Sequence, residues 1–317
     1  QTVEPSRRPM RGGHEDGVAH QHRRHGEHRV GGGPSANPLQ FPGVGVGAIK
    51  VSQRRADEQP PARETYQDRG RVGRVVDWLE RSKTDVLAMQ EIKCKPDQFP
   101  YAPFEEAGYK VTLHGLNQWN GVAFASRIEA EDVEIGFSGM PGFGKDMAEE
   151  ARAIGATFDG VRLCSLYVPN GRSIDDPHYT YKLEWLDRLA GNVAEWVEHQ
   201  PDQPLALMGD FNIAPLDTDV WDIDFFAGQT HVTPAERQAF EAFEQIGLRD
   251  VVRERIPEGY TYWDYQQLRF PKNEGMRIDF ILGSEPFAER VTEAVIDRNE
   301  RKGEGPSDHV PVVVDIS

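Results

Sequence analysis

Pro204-Leu205-Ala206-Leu207-Met208-Gly209-Asp210-Phe211-Asn212 is the stretch on which the reading of the chain turns. The apolar run from Leu205 to Met208, bounded by Pro204 and Gly209, has the length and punctuation of a buried strand. Asp210 and Asn212 follow just past its end. Alternate residues of an extended chain point the same way, so the two polar tips can face one site. A carboxylate that can take a proton, beside an amide that can hold an oxyanion, suits attack by water on a phosphate. An acid after a strand is also a common turn or helix cap. The stretch therefore gains meaning only from what converges with it.

Working outward, Asp85-Val86-Leu87-Ala88-Met89-Gln90-Glu91 repeats the design with an acid at its end. Gly121–Ala125 and 161–168 read as strands, the latter leading into Tyr167-Val168-Pro169-Asn170-Gly171. Residues 260–265 alternate and are β-prone. Residues 276–282 form a strand with Asp279 in its middle, and Ser307-Asp308-His309 precedes a terminal strand over 310–316. Helical spacing links Val72, Val75, Val76 and Leu79, and again Leu186, Leu189, Val193, Trp196 and Val197. Thr233 and Glu236 make a capping box with Pro234 at the first helical position, and Gly247 closes that helix. Lys95 to Pro103 is a Pro-rich loop. Strands outnumber helices and are not strictly interleaved with them, which predicts an α+β sandwich over an alternating parallel sheet.

Polar groups now stand at several strand ends: Glu91, Tyr167 with Asn170, Asp210 with Asn212, Asp279, and Asp308 with His309. Asp279 lies between Ile278 and Phe280, where a charge is expensive unless paired. Two readings are open for it: a pair with His309 that fixes the imidazole, or a structural Asp bonded to backbone. Glu91 and Asp308 are hard oxygen ligands with no Cys or His cluster to compete, so an implied metal is Mg²⁺, or Mn²⁺, rather than Zn²⁺. No P-loop and no G-x-S-x-G elbow is present, which removes nucleotide-triphosphatase and α/β-hydrolase readings.

The 317 residues carry a formal charge of −16, 38% hydrophobic residues and two cysteines. No apolar run is long enough for a bilayer and there is no signal-peptide pattern, so the expectation is a soluble, cytoplasmic monomer without a membrane partner. Cys94 and Cys164 make neither a disulfide framework nor a metal spacing. Net negative charge speaks against nucleic acid, but an acidic protein can keep a basic rim at its site. Five of the ten histidines fall in the first 28 residues, among Arg and Gly. That composition predicts no packed structure over residues 1–60, followed by a single catalytic domain over 61–317. Residues 44–51 are the only strand-like piece there, diluted by Gly43, Gly45 and Gly47.

Taken in order, Gln90-Glu91-Ile92-Lys93, Gly121-Val122-Ala123, Tyr167-Val168-Pro169-Asn170-Gly171, Gly209-Asp210-Phe211-Asn212, Arg277-Ile278-Asp279-Phe280 and Ser307-Asp308-His309 resemble the exonuclease III branch of the AP endonucleases, within the endonuclease/exonuclease/phosphatase superfamily. The resemblance runs from about Val72 to the C-terminus. It implies a four-layer α/β sandwich, two packed mixed β-sheets flanked by helices, with the site at one end. It also implies a Mg²⁺-dependent DNA repair nuclease with abasic-site endonuclease, 3′–5′ exodeoxyribonuclease and 3′-phosphatase or phosphodiesterase activity. The partner would be double-stranded DNA with abasic sites or blocked 3′ ends.

In roles implied by the same resemblance, Glu91 holds the metal with Asp308 nearby. Asp210 activates water, Asn212 and His309 contact the phosphate, Asp279 holds His309, and Tyr167 touches the phosphate or leaving oxygen. Asn170 meets the DNA backbone and Lys93 balances charge. Tyr262, Trp263 and Met276 match a pocket for a base-free sugar, although Tyr262 and Trp263 read equally well as sheet residues. Arg172, Arg269, Lys272 and Arg277 supply a basic rim. Two rivals share the scaffold: a phosphodiesterase on RNA or a small phosphoester, and a non-catalytic nucleic-acid-binding regulator.

One departure stands out. The family opens with a strand ending in a Trp-Asn-x-Asn type segment beside the metal, and this chain has none. Asn37 is the only Asn before Asn117; Gln67 or Asp68 is a poor stand-in. The first 60 residues are therefore read as something other than the family's own N-terminus.

Overall fold

The computed structural model describes residues 46–51 and 70–317, the first stretch by its backbone and the buried position of Gly47. Twelve strands and six α-helices follow in the order β1 (Val46–Val51), α1 (Gly70–Ser82), β2 (Val86–Gln90), α2 (Tyr101–Glu106), β3 (Lys110–His114), β4 (Val122–Ser126), β5 (Glu131–Ile135), β6 (Ala153–Phe158), β7 (Val161–Tyr167), α3 (Pro177–His199), β8 (Leu205–Asp210), α4 (Pro234–Gln245), β9 (Arg249–Asp250), α5 (Arg269–Lys272), β10 (Asp279–Gly283), α6 (Glu285–Ala288), β11 (Val291–Ile296) and β12 (Val312–Ile316). They form two six-stranded sheets, ordered β11-β12-β1-β2-β4-β3 and β5-β6-β7-β8-β10-β9. Each is mixed: β1 runs parallel to β12 and β7 parallel to β8, the remaining pairs being antiparallel.

Period-two alternation sorts each central strand between two cores. On β8, Ala206 and Met208 join Val86, Ala88, Phe124, Leu163, Ile281 and Val314 in the layer between the sheets. Leu205 and Leu207 face the other way, onto Trp185, Leu186 and Leu189 of α3 and Phe240 and Phe243 of α4. On the first sheet, Leu87, Met89, Ala123 and Val313 pack outward under Val76, Trp78 and Leu79 of α1 and Phe104 of α2. The result is the four-layer sandwich that the motifs implied. Among the described residues no helix is long and apolar enough to cross a membrane.

Four expectations need correction. First, absence of packed structure through residue 60 fails at 46–51, which form an internal strand registered against β12 on one side and β2 on the other. Flanking ladders on both sides override the weak β-propensity of glycine. Gly47 even suits its position, since a Cβ there would lie 3.0 Å from Met208 Cε across the sheets. The rest of residues 1–60, with Asn37, Gln67 and Asp68, lies outside the described residues. β1 pairs Val46 with Met89 and Val51 with Ile316. Its C-terminal end therefore points away from Glu91, opposite to a strand that delivers a ligand there.

Second, residues 260–265 form no regular strand. Tyr262 makes single bridges to Met276 and His309 and the segment then turns. Third, Asp279 is the first residue of its strand rather than the middle one, because Met276 is drawn off to Tyr262 and Val220. Fourth, the loop expected over 95–103 is interrupted by α2, whose Phe104 anchors it under the first sheet.

Candidate active site

The inward-facing parity of the strands delivers polar groups to one end of the layer between the sheets. Gln90 follows Val86 and Ala88 on the inner face of β2, and its Nε2 donates 2.9 Å to Ser165 Oγ on β7. Tyr167, at the end of β7, is registered against Asp210 at the end of β8. Asp210 in turn is registered against Asp279, the first residue of β10. Glu91 follows β2 at the same end, and its carboxylate accepts from the Tyr167 hydroxyl and lies 2.9 Å from Lys93 Nζ. Asp308 and His309 precede β12, whose start lies at that end because β12 runs opposite to β2.

Gly209 makes the close approach of β8 feasible. Its φ of +140° is strained for other residues, and a Cβ there would sit 2.1 Å from the Leu166 carbonyl oxygen and 3.0 Å from Gln90 Nε2. Four non-glycine residues of the surrounding loops adopt left-handed backbone: Glu91, Lys93, Arg172 and Asn212. Such strain persists only where surrounding structure over-determines it, and it gathers at functional sites.

Asp210 and Asp279 are both nearly inaccessible, at 4% and 3% exposure, and each has its own partner. Asn212 donates its backbone N–H to Asp210 Oδ1 at 2.8 Å and its Nδ2 to Oδ2 at 2.9 Å. The same amide reaches the Val168 carbonyl at 3.0 Å, and Asn212 Oδ1 accepts from Asn170 Nδ2 at 2.9 Å. Asp279 holds His309 Nδ1 at 2.9 and 3.0 Å, the pair considered from the sequence. Thr261 Oγ1 accepts from the Ile278 and Asp279 amides at 3.1 Å and so fixes where Asp279 begins its strand. With the carboxylate on Nδ1, the Nε2 of His309 is left for the site.

The electrostatics follow from burial and these partners. Burial pushes the Asp210 carboxyl up to about 8, with Asp279 and Glu91 adding to the rise and His309 and the Asn212 amide opposing it. Burial disfavours charge on His309, but Asp279, with Asp210 and Asp308, outweighs it and holds the imidazole well above its usual value. Burial, together with the neighbouring Glu91, keeps the Tyr167 phenol well above its usual value, against the pull of Arg152. Arg152 stacks 4.8 Å over the Tyr167 ring and is itself held by Glu150 at 2.6 Å.

Of the sugar-pocket residues, Tyr262 stacks 4.9 Å from the His309 ring and shares an apolar cluster with Met276, Val220, Phe226 and Trp221. Trp263 does not join them. At 1% exposure its ring packs against Tyr260 and Phe270, because neighbouring residues of extended chain face opposite ways. Only its backbone serves the site, donating to the Asp308 carbonyl at 2.9 Å. Arg277 is not a rim residue either. It is 1% exposed, donates to the Ile256 carbonyl at 2.8 Å and faces Asp250 at 3.6 Å. Arg172 is 58% exposed, beside Asp176 at 3.8 Å. Arg269 is spent on Glu274 and stacks over Trp221 and Phe225.

The sequence reading missed Lys182 of α3 and Glu236 of α4, a fully buried pair beneath Asn170 and Asn212. A signal was available. Lys182 sits on the apolar stripe of α3, between Tyr181 and Trp185, where a charge needs a partner. Glu236 was explained away by its capping box, which is present, but its carboxylate also takes Lys182.

The donor chemistry of Glu91 and Asp308 suits a hard divalent cation. Among the described residues no three His, Cys, Asp or Glu side chains gather as a metal group. Two carboxylates suit an open site for such a cation, which keeps several waters, better than the closed sets of structural Zn²⁺.

Comparison with known proteins identifies the family and the fold. The model of the endonuclease/exonuclease/phosphatase family matches residues 62–309. The chain is 30% identical over 247 residues to exodeoxyribonuclease III of Haemophilus influenzae, covering 74% of this chain and 90% of that protein. A 3′ phosphatase from Neisseria, solved bound to a product DNA hairpin, is similar with a TM-score of 0.73 at 34% identity, over 78% of this chain and 94% of that one. An AP endonuclease from Archaeoglobus fulgidus is similar with a TM-score of 0.71 at 35% identity, over 77% and 93%.

Proposed function

The chain belongs to the endonuclease/exonuclease/phosphatase family, hydrolases of phosphodiester bonds, and from that premise we propose that it is a DNA repair nuclease acting at abasic sites and blocked 3′ ends. The observation that carries the reading is the pairing of Asp210 and Asp279 across β8 and β10, each with a separate partner. One carboxylate is thereby tuned as a base and the other as the anchor of a cationic imidazole.

In this reading Asp210 takes a proton from the attacking water. Its two oxygens are already oriented by Asn212, and its raised pKa brings it near the working pH of a general base. The water oxygen then bonds to phosphorus as the bond to the leaving oxygen breaks. His309, charged by Asp279, offers Nε2–H to the phosphate oxygens as negative charge grows. Tyr167 remains a hydroxyl at neutral pH and touches the phosphate or the leaving oxygen. Asn170 meets the DNA backbone, Lys93 balances charge beside Glu91, and Arg172 is an exposed cation of the rim. Glu91 and Asp308 would hold Mg²⁺, with Mn²⁺ as a substitute, which when bound would neutralise phosphate charge. Tyr262 and Met276, beside His309, would receive a sugar without its base. The names of the relatives, an AP endonuclease and a 3′ phosphatase, support both substrate types.

The test uses two duplexes, one with a single tetrahydrofuran abasic analogue and one ending in a 3′-phosphate, each with Mg²⁺ and with EDTA. Metal-dependent incision of the first, or phosphate release from the second, is expected. Absence of metal-dependent product from both would overturn the reading.

A further inference from the structure

Lys182 and Glu236 have no exposed surface, and they lie one layer behind the groups that meet substrate. The three hydrogens of the Lys182 ammonium are all accounted for: Glu236 Oε1 at 2.5 Å, the Asn212 carbonyl at 2.6 Å and the Asn170 carbonyl at 3.3 Å. Glu236 is equally saturated. Its Oε1 also accepts from Thr230 Oγ1 at 2.6 Å, and its Oε2 from the Thr233 amide and hydroxyl at 3.1 and 2.9 Å. The Thr230 hydroxyl, whose one hydrogen goes to Glu236, also lies 3.2 Å from the Asn170 carbonyl, and His231 Nδ1 reaches that of Asn212 at 2.5 Å.

Buried ion pairs are poor sources of stability, since apolar residues of similar volume often do as well. This pair grips two carbonyls that belong to Asn170 and Asn212, one of them in left-handed backbone. The side chains of those residues are bonded to each other, and Asn212 orients both oxygens of Asp210.

We propose that Lys182, neutralised by Glu236, is a positioning residue for the hydrolysis: it clamps the Asn170 and Asn212 backbones and so sets the aim of Asp210. The inference rests on the nuclease reading for its rate effect, but the clamp itself is a property of the fold. It predicts that the pair governs turnover rather than substrate affinity. Truncating Lys182 alone strands the Glu236 charge; replacing both partners by apolar residues removes that penalty and leaves the carbonyls ungripped.

The experiment compares the wild type with Lys182→Met and with the double variant Lys182→Met/Glu236→Leu, each full length. Two readouts are taken: steady-state kinetics on the abasic duplex, and amide hydrogen exchange at Asn212 without DNA. The single variant is expected to lose thermal stability. The double variant should recover the wild-type melting temperature while its kcat stays 10- to 100-fold low, with KM within about threefold, and its Asn212 amide exchanges at least tenfold faster. A double variant with wild-type kcat and wild-type Asn212 exchange would overturn the proposal. If the wild type itself does not cleave, the nuclease reading fails, and the exchange rate alone then decides for or against the clamp.

Discussion

Arg277 separates a contact that the sequence suggested from one that the fold makes. As a rim cation it would neutralise one DNA phosphate. In the structure its guanidinium is enclosed, donating 2.8 Å to the Ile256 carbonyl and lying 3.6 Å from Asp250. Removing one member of a buried pair typically costs 3–5 kcal/mol, because the other charge is stranded. Asp250 is not stranded completely, since Arg253 reaches it at 3.1 Å through Nε and 2.9 Å through its backbone N–H. The expected loss for Arg277→Met is therefore near the lower end, about 3 kcal/mol. Urea unfolding of the two proteins measures it as a lower midpoint with an unchanged slope. Duplex affinity over a salt series measures the alternative, because each lost phosphate contact reduces the log–log slope by about 0.9. Arg277→Met should leave that slope alone, whereas exposed Arg172→Ala should reduce it. An Arg277 variant of wild-type stability with a reduced slope would refute the assignment.

Three further outcomes follow from the same structure. Gly209→Ala should cost roughly 3 kcal/mol or more in urea unfolding, from a φ of +140° and a Cβ at 2.1 Å from a backbone oxygen that cannot yield; a loss under about 1 kcal/mol would contradict the close approach. Burial, with the Lys182 ammonium beside it, pushes His231 down to about 4. Its unfolded form therefore binds a proton first: the stability from its neutral state is complete above about pH 6.5 and declines towards pH 4, by up to roughly 3 kcal/mol. His231→Asn should flatten that part of the pH–stability profile, and an unchanged profile would refute the assignment. Asp210→Asn should lower kcat by on the order of 10² or more; an unchanged rate would remove its assignment as the base.

The parts of this protein legible from sequence were those set by short-range periodicity. Leu205 to Asp210 reads as a buried strand because five of its residues need no partner beyond sheet and core, and the helix containing Leu186 and Leu189 shows its buried stripe directly. What stayed hidden depended on pairing at a distance. Residues 260–265 have the composition of a strand, yet Met276 and His309 each offer Tyr262 only one bridge. Trp263 looked like a pocket residue until its neighbour Tyr262 took the side facing His309. Val46–Val51 holds Gly47 and follows Gly43 and Gly45, too diluted a stretch to stand as a strand alone, and only the open ladders of β2 and β12 make it one. Glu236 had a sufficient local explanation as a capping acid, and that explanation does not contain Lys182.

Asp210 and Asp279 are directly opposite one another on antiparallel strands, an arrangement that destabilises a sheet when both are charged. The fold resolves the conflict unequally. Asp279 receives an imidazole that becomes cationic, so its charge is matched; Asp210 receives a neutral amide and a backbone N–H, which orient it but do not match it. The residual repulsion joins burial in raising Asp210. An acid raised from 3.8 to about 8 is destabilising wherever the unfolded chain is ionised and the folded one resists. The penalty is absent below about pH 4, grows as pH rises to on the order of 4 kcal/mol at pH 7, and levels off only above about pH 8. A group that reacts readily with protons near neutrality is thus obtained by leaving one of two facing carboxylates undercompensated. The left-handed backbones of Glu91, Lys93, Arg172 and Asn212 add strain around the same end of the sandwich. The two complete hydrophobic layers under α1 and α3 are what allow that end to remain unfavourable without unfolding.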